Sequence, residues 1–314
     1  MHGERVPRRS FWAIPWSYRQ GVLFAAAFFV GAAVLDMFPH RLFILGGAAS
    51  GVFVIVVLLL VIVPFVLFKD TAALRYLSGK HNAIIAISFF TACVIIMGLI
   101  PQTSEHLLSA GGVLWVFRMK YSIVFFTMAL YLLVSLGYAI ASRCRAFTVR
   151  NAVFLASHGG LFLVILGMCA GSGMQQVSMT VHTKDYVWYG RDQFGNDTEL
   201  PLAIKLESFT IDYHSTNVGA APRQFRSVVS IVTSDKKRTR AAIAVNAPFT
   251  IHGVTLYQSG YDAAKCALSD ISIIHAVRDP WIGVVYAGMI MLLIGAVCMV
   301  VIYMRSFTLA RGKP

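Results

Sequence analysis

NAVFLASHGGLFLVILGMCAGSG, residues 151–173, is an apolar run that carries a histidine, His158, in its first half. About 20 such residues cross the roughly 30 Å of bilayer hydrocarbon. A polar side chain inside that layer is costly and is normally turned toward protein or a water-filled cavity. His158 is therefore the first candidate for function. Directly after Gly173 the apolar pattern stops and the chain's only large polar region begins.

Working outward, five more apolar runs of similar length are found, so that spans are expected at 20–38, 42–68, 82–101, 121–141, 152–173 and 281–304. A chain of 314 residues that is 57% hydrophobic and 13% charged cannot bury all of this in one water-soluble core. The second run is long enough to need tilt, and Pro64 is expected to bend it. The first run is followed at once by the second, which argues against a lone signal peptide. The expected fold class is a polytopic α-helical membrane protein with six predicted transmembrane helices and an inserted extracytoplasmic all-β domain. The expected boundaries are 1–173 for the first five spans, 174–280 for the β-rich domain, and 281–314 for the sixth span and tail.

Lys and Arg mark alternate ends of these spans. Arg5, Arg8, Arg9 and Arg19, then Lys69, Arg75 and Lys80, then Arg143, Arg145 and Arg150, then Arg305, Arg311 and Lys313 fall on one side, and only Arg41, Arg118 and Lys120 occupy the other short loops. The positive-inside rule then puts both termini in the cytoplasm and 174–280 outside. The same bookkeeping explains the net charge of +13, because 174–280 holds eleven Lys/Arg against ten Asp/Glu. The excess lies at the inner membrane face, where anionic lipid is the partner, and no nucleic acid is implied.

Between 174 and 280 the periodicity becomes that of strands. Leu202, Ile204 and Leu206 alternate on even positions, and Phe209, Ile211 and Tyr213 continue on odd ones, so one strand is expected with a bulge at Glu207–Ser208. Further strands are expected at 177–181, 225–233, 241–245, 249–258 and 271–277, giving a small sandwich or barrel. Its histidines, His182, His214, His252 and His275, are not at metal-ligand spacing, and no catalytic constellation stands out. The five cysteines, Cys93, Cys144, Cys169, Cys266 and Cys298, include no Cys-x-x-Cys pair, and only Cys266 falls in the outer region. Asn196-Asp-Thr198 is a formal glycosylation sequon that matters only in a host with that pathway. No Walker or dinucleotide-binding glycine loop is present, so the chain is not a self-contained ATP-driven pump.

Within 152–173, Gly160, Gly167 and Gly171 cluster within about 40° on a helix turning about 100° per residue. That face permits close helix packing, with Gly283, Ala287 and Gly288 of the sixth span as partners. His158 points roughly the opposite way. Its imidazole either ligates a metal, with Gly159 leaving room beside it, or bonds a serine or backbone carbonyl of a neighbouring helix.

Several stretches resemble the ResB/CcsB family of cytochrome c biogenesis, known as system II. They are Ser157-His158-Gly159-Gly160-Leu161, Leu200-Pro201-Leu202-Ala203-Ile204 with Phe209, Val245-Asn246-Ala247-Pro248, Leu256-Tyr257-Gln258-Ser259-Gly260-Tyr261-Asp262 and Val277-Arg278-Asp279-Pro280. Earlier in the chain, Pro15-Trp16-Ser17-Tyr18-Arg19-Gln20-Gly21 and Met97-Gly98-Leu99-Ile100-Pro101-Gln102 look like the longer branch of that family. The resemblance implies a ResB-like subunit in a bacterial cytoplasmic membrane. With a CcsA/ResC-type partner it would move haem b across the membrane and support its covalent attachment to apocytochrome c. It also implies that His158 is the cofactor-binding residue and an axial ligand of the haem iron, and that catalytic residues are not evident on this chain. The five tryptophans, Trp12, Trp16, Trp115, Trp188 and Trp281, are scattered rather than gathered in a haem-handling loop, so the chain looks like one half of a holocytochrome c synthetase. The competing readings are a membrane-anchored scaffold or sensor whose β domain binds a protein, and a transporter of another solute. The absence of duplicated halves argues against the last.

Overall fold

The structure, a computed structural model, describes residues 16–38, 47–102, 114–144, 148–171, 174–214 and 222–311. Arg5, Arg8, Arg9, Trp12, Arg41, Arg145 and Lys313, and the starts of the second span and of the N-terminal motif, lie outside the described residues. These residues fall into two compact units, one of helices and one of strands from 174 to 280.

In the first unit six helices are long and apolar enough to cross a membrane. They are α1 (Tyr18–Leu35), α2 (Ala48–Phe68), α4 (Lys80–Leu99), α5 (Ile123–Arg143), α6 (Val149–Ala170) and α7 (Ile282–Arg311), with a short α3 (Ala72–Leu77) and a 3₁₀ segment, Trp115–Tyr121, between them. Polar caps start α5 and α6. Ser122 Oγ accepts from the Phe125 N–H at 3.0 Å, and Thr148 Oγ1 from the Asn151 N–H at 3.2 Å, each taking up a donor that the first helical turn leaves unpaired.

α2 runs through Pro64 without interruption. A proline has no N–H for the carbonyl four residues back, which here is Leu60. The Tyr138 hydroxyl of α5 donates to that carbonyl at 2.7 Å. The approach is possible because the preceding residue is Gly137, where a Cβ would lie only 2.5 Å from a Val61 methyl. In the apolar layer no water can take over such a bond, so a neighbouring helix supplies it.

α6 and α7 pack along a glycine seam. A Cβ on Gly160 would fall 2.5 Å from the Leu292 nitrogen, one on Gly167 2.8 Å from a Val285 methyl, and one on Gly295 2.5 Å from the Ser157 nitrogen. The expected face of small residues on α6 is thus used, and its partners are Gly288 and Gly295. Gly283, expected to share in it, has open space where a side chain would be. Gly171 caps the C-terminus of α6.

The second unit is one eight-stranded antiparallel sheet in the order β5-β4-β3-β2-β1-β8-β7-β6. Its strands are β1 (Gln175–His182), β2 (Val187–Asp192), β3 (Asp197–Tyr213), β4 (Pro222–Thr233), β5 (Arg238–Ala244), β6 (Phe249–Ile251), β7 (Val254–Tyr261) and β8 (Ile271–Arg278). Alternate side chains form one core, including Val177, Met179, Ile204, Leu206, Ile231, Ile243, Leu256 and Ile274. The sheet coils back on itself, because Ser227 Oγ on β4 donates to Gln258 Oε1 on β7 at 2.6 Å and lies 2.8 Å from the Ser272 hydroxyl on β8, although these strands are distant in its order. All three side chains are buried, and their polar atoms satisfy one another.

The register of β3 on β4 shifts between Leu206 and Ser208, where the change of phase in the sequence places a bulge. Glu207, the extra residue, meets Arg240 at 2.6 Å on the exposed face. The stretch 249–258 is a hairpin rather than one strand. His252 and Gly253 have φ of 49° and 75°, the left-handed pair of a two-residue turn that matches strand twist. β2 and the first residues of β3 were not expected, and they pair through Tyr189–Arg191 with Asp197–Glu199.

Candidate functional site

His158 stands in the third turn of α6, about 14 Å from its start at 1.5 Å per residue. It is half-buried, on the side away from the seam with α7. Its Nδ1 lies 3.1 Å from the Phe154 carbonyl and 3.1 Å from Ser157 Oγ. The partners are thus a carbonyl and a serine of its own helix, not of a neighbour as one expectation had it. The Phe154 carbonyl can only accept, so it pairs with the tautomer that carries the proton on Nδ1, and in that tautomer Nε2 is the lone-pair nitrogen. No described residue hydrogen-bonds that nitrogen. An imidazole whose Nδ1–H is tied to a carbonyl has the tautomer and fixed orientation of a metal-ligating histidine. The donor set therefore fits an iron held through Nε2.

The ring is also held from the side. Phe154 and His158 stack with centroids 3.7 Å apart and planes inclined by 18°. The guanidinium of Arg143, the last residue of α5, sits over the same Phe154 ring at 5.0 Å, and its Nη1 lies 3.4 Å from Asn151 Oδ1. Asn151, Phe154 and His158 are at i, i+3 and i+7, one face of the helix. That spacing was readable in the sequence. The presence of Arg143 beside it was not, because it depends on how α5 meets α6. A Cβ on Gly159 would meet the Met291 methyl of α7 at 3.5 Å, an ordinary contact.

Two further polar clusters among the helices are paired within themselves, whereas the buried Tyr76 hydroxyl has no hydrogen-bond partner among the described residues. Asn82, fully buried, donates to Ser135 Oγ and to the Leu77 carbonyl, both at 2.9 Å, and accepts from the Tyr131 hydroxyl at 2.5 Å. At the end of α1 the Asp36 carboxylate accepts from the Val124 N–H at 3.0 Å and faces Arg118 at 3.6 Å. Both arrangements tie helices together and leave no group aimed at a ligand.

In the β unit His182 and His214 are exposed, and His252 sits in the hairpin turn. His275 is half-buried, with Gln176 Nε2 3.3 Å from its Nδ1 and Ser259 Oγ 3.1 Å from its Nε2. Burial holds its pKa below the usual imidazole value. No group of three or more metal-ligating side chains occurs among the described residues. The five cysteines are free.

These features define a multi-pass membrane protein with an inserted β unit and a histidine inside a membrane-spanning helix, its Nδ1 held against a backbone carbonyl. Residues 148–275, which run from the cap of α6 to His275, match the ResB-like family, as the resemblance of the motifs implies. No curated protein matches the chain. Among solved structures, a cytochrome c heme lyase, CcmF, is similar at 13% identity over 90% of this chain and 46% of its own, with a TM-score of 0.38. The chain thus spans about half the length of that protein, and the likeness is too slight for comparing the two folds.

Proposed function

We propose that this chain works in cytochrome c biogenesis as a ResB-like subunit that holds haem b in the membrane for a CcsA/ResC-type partner. The partner completes its passage and covalent attachment to apocytochrome c. The observation that carries the reading is the ResB-like match over 148–275 together with the histidine it contains, whose Nδ1 is tied down and whose Nε2 is left for a metal. His158 would hold the iron. When bound, haem supplies the iron centre and the vinyl groups for attachment, and this chain's part is to bind, orient and shelter it from water. No residue of the chain is assigned a catalytic role, and the chain acts as a non-autonomous half of a synthetase.

The charge pattern supports both termini inside and 174–280 outside, in the bacterial cytoplasmic membrane that the family resemblance implies. A reporter fused after Arg150 should then report cytoplasm, and one inserted at the Gly195 turn the outer compartment.

The deciding experiment purifies wild type and His158→Gly with the partner and compares haem absorption per protein. The glycine variant should lose most of the haem and regain the spectrum with added imidazole. Unchanged haem content and spectrum in a folded variant would defeat the ligand role and favour a scaffold whose β unit binds protein alone. Expressed without its partner, the chain should mature no cytochrome c in a host stripped of other maturation systems.

A further inference from the structure

Arg143 has an unusual setting for a residue at a helix end. Its guanidinium is exposed, lies over the Phe154 ring at 5.0 Å, and has no carboxylate partner among the described residues. The same ring stacks on the His158 imidazole at 3.7 Å. Cation, aromatic ring and imidazole thus share one column on the face of α6 turned from α7. The first turn of α6 contains no acidic residue, and its unpaired N–H groups add positive potential at the same end.

We propose that Arg143 is the carboxylate anchor of this site, gripping an acid group on the rim of the planar ligand whose metal is held by His158. This rests on the haem reading above and adds a second point of recognition to it. A guanidinium over an aromatic face keeps its N–H fork directed outward, the geometry that takes a carboxylate through two parallel bonds. Its one hydrogen bond, to Asn151 Oδ1, is long at 3.4 Å and easily exchanged for a charged acceptor. The position suits the chemistry of an amphipathic macrocycle. The metal and apolar ring lie with His158 inside the apolar layer, while the ionised acid group stays at its edge, where it remains solvated. A porphyrin lacking free carboxylates, or carrying them as esters, loses this contact but keeps the iron–imidazole bond. Arg143 is accordingly a binding and orienting residue that selects which edge of the macrocycle faces the end of α5.

The test uses the same purified preparation with its partner, stripped of haem and titrated with iron protoporphyrin IX and with its dimethyl ester. Arg143→Gln should weaken binding of the free acid about fivefold, the worth of one exposed charge pair, and leave binding of the ester as in wild type. The visible spectrum, which reports the axial ligand, should not move. Arg143→Lys should fall between the two, since it keeps the charge and loses the fork. Equal thermal midpoints for the variants establish that they are folded. If Arg143→Gln binds both forms as wild type does, or weakens both equally, the anchor role is overturned while the ligand role of His158 stands. If His158→Gly leaves the spectrum unchanged, or if wild type binds neither form, the haem reading falls and the anchor with it.

Discussion

The Tyr138 hydroxyl donates to the carbonyl of Leu60, the acceptor that Pro64 leaves without its helical partner. A polar side chain on α5 thus repairs the backbone of α2. Tyr138→Phe should destabilise the helical unit by about 1–3 kcal/mol, the cost of an orphaned buried acceptor. Pro64→Ala supplies an N–H for Leu60, so the same tyrosine change in that background should cost much less. Thermal unfolding of the four variants in detergent, read as a double-mutant cycle, checks this, and strict additivity would contradict it.

Gly160 and Gly288 face each other across α6 and α7 at backbone contact. A Cβ on Gly160 would lie 2.7 Å from the Gly288 oxygen, and one on Gly288 2.8 Å from the Gly160 oxygen. Neither neighbour is a flexible side chain, so the helices themselves must part. Gly160→Ala and Gly288→Ala should each lower stability by about 1–3 kcal/mol, the usual cost of overpacking. Gly283→Ala, with open space at its Cβ, should be silent or slightly stabilising through helix propensity. Folded yield and unfolding midpoint after membrane extraction separate the two outcomes.

Asp36 is fully buried in its side chain, and the Arg118 side chain facing it is 10% exposed. Arg118 also donates to the Asp36 backbone carbonyl at 3.0 Å. Asp36→Ala should cost about 3–5 kcal/mol, because it breaks a buried ion pair. Replacing both residues with apolar ones of similar size should recover part of that loss, as measured by chemical unfolding of the purified protein. A double variant as unstable as the sum of the singles would refute the pairing.

The His275 pKa is held below its unfolded value of 6.5 by burial between Gln176 and Ser259. Below pH 6.5 the unfolded chain takes up a proton that the folded β unit resists, so stability falls as pH drops from 6.5 through the folded pKa and is regained above 6.5. His275→Gln should flatten that part of the profile. Midpoints measured between pH 5 and 8 for both proteins provide the comparison, and an unchanged slope would show that another group titrates there.

Much of this was readable from residue patterns, and the unread parts have physical causes. Six helices follow from apolar runs long enough to cross a bilayer, and the bulge in β3 follows from the apolar set changing parity between Leu206 and Phe209. The turn at His252–Gly253 was hidden because Phe249 and Ile251 before it and Val254 and Leu256 after it read as one apolar stretch, and His-Gly is not one of the Asn-Gly, Asp-Gly or Gly-Gly pairs that signal such a turn most strongly. β2 escaped because Trp188, Tyr189 and Arg191 are exposed, which erases the alternation that marks a strand. At the candidate site, His158 announced itself as a polar group in an apolar run. The ring and cation beside it depend on how α5 meets α6, and helix pairing is not written in the periodicity of either helix.

Gln175 and Arg278, the first residue of β1 and the last of β8, are paired partners in the sheet. The inserted unit therefore returns the chain to within one strand spacing of where it left. On the helical side, a Cβ on Gly167 would lie 3.6 Å from the Trp281 carbonyl, so the end of α6 and the start of α7 also meet. The two closures span the same loop. Once the sheet has folded, α6 and α7 are joined by a tether of a few residues instead of more than a hundred, and each halving of effective loop length lowers the entropic cost of bringing them together by about 0.6 kcal/mol. The reverse holds equally, since a formed helix pair brings β1 and β8 into register range. The sheet and the glycine seam are thus thermodynamically linked through chain connectivity alone, and a mutation that loosens one should be felt in the other.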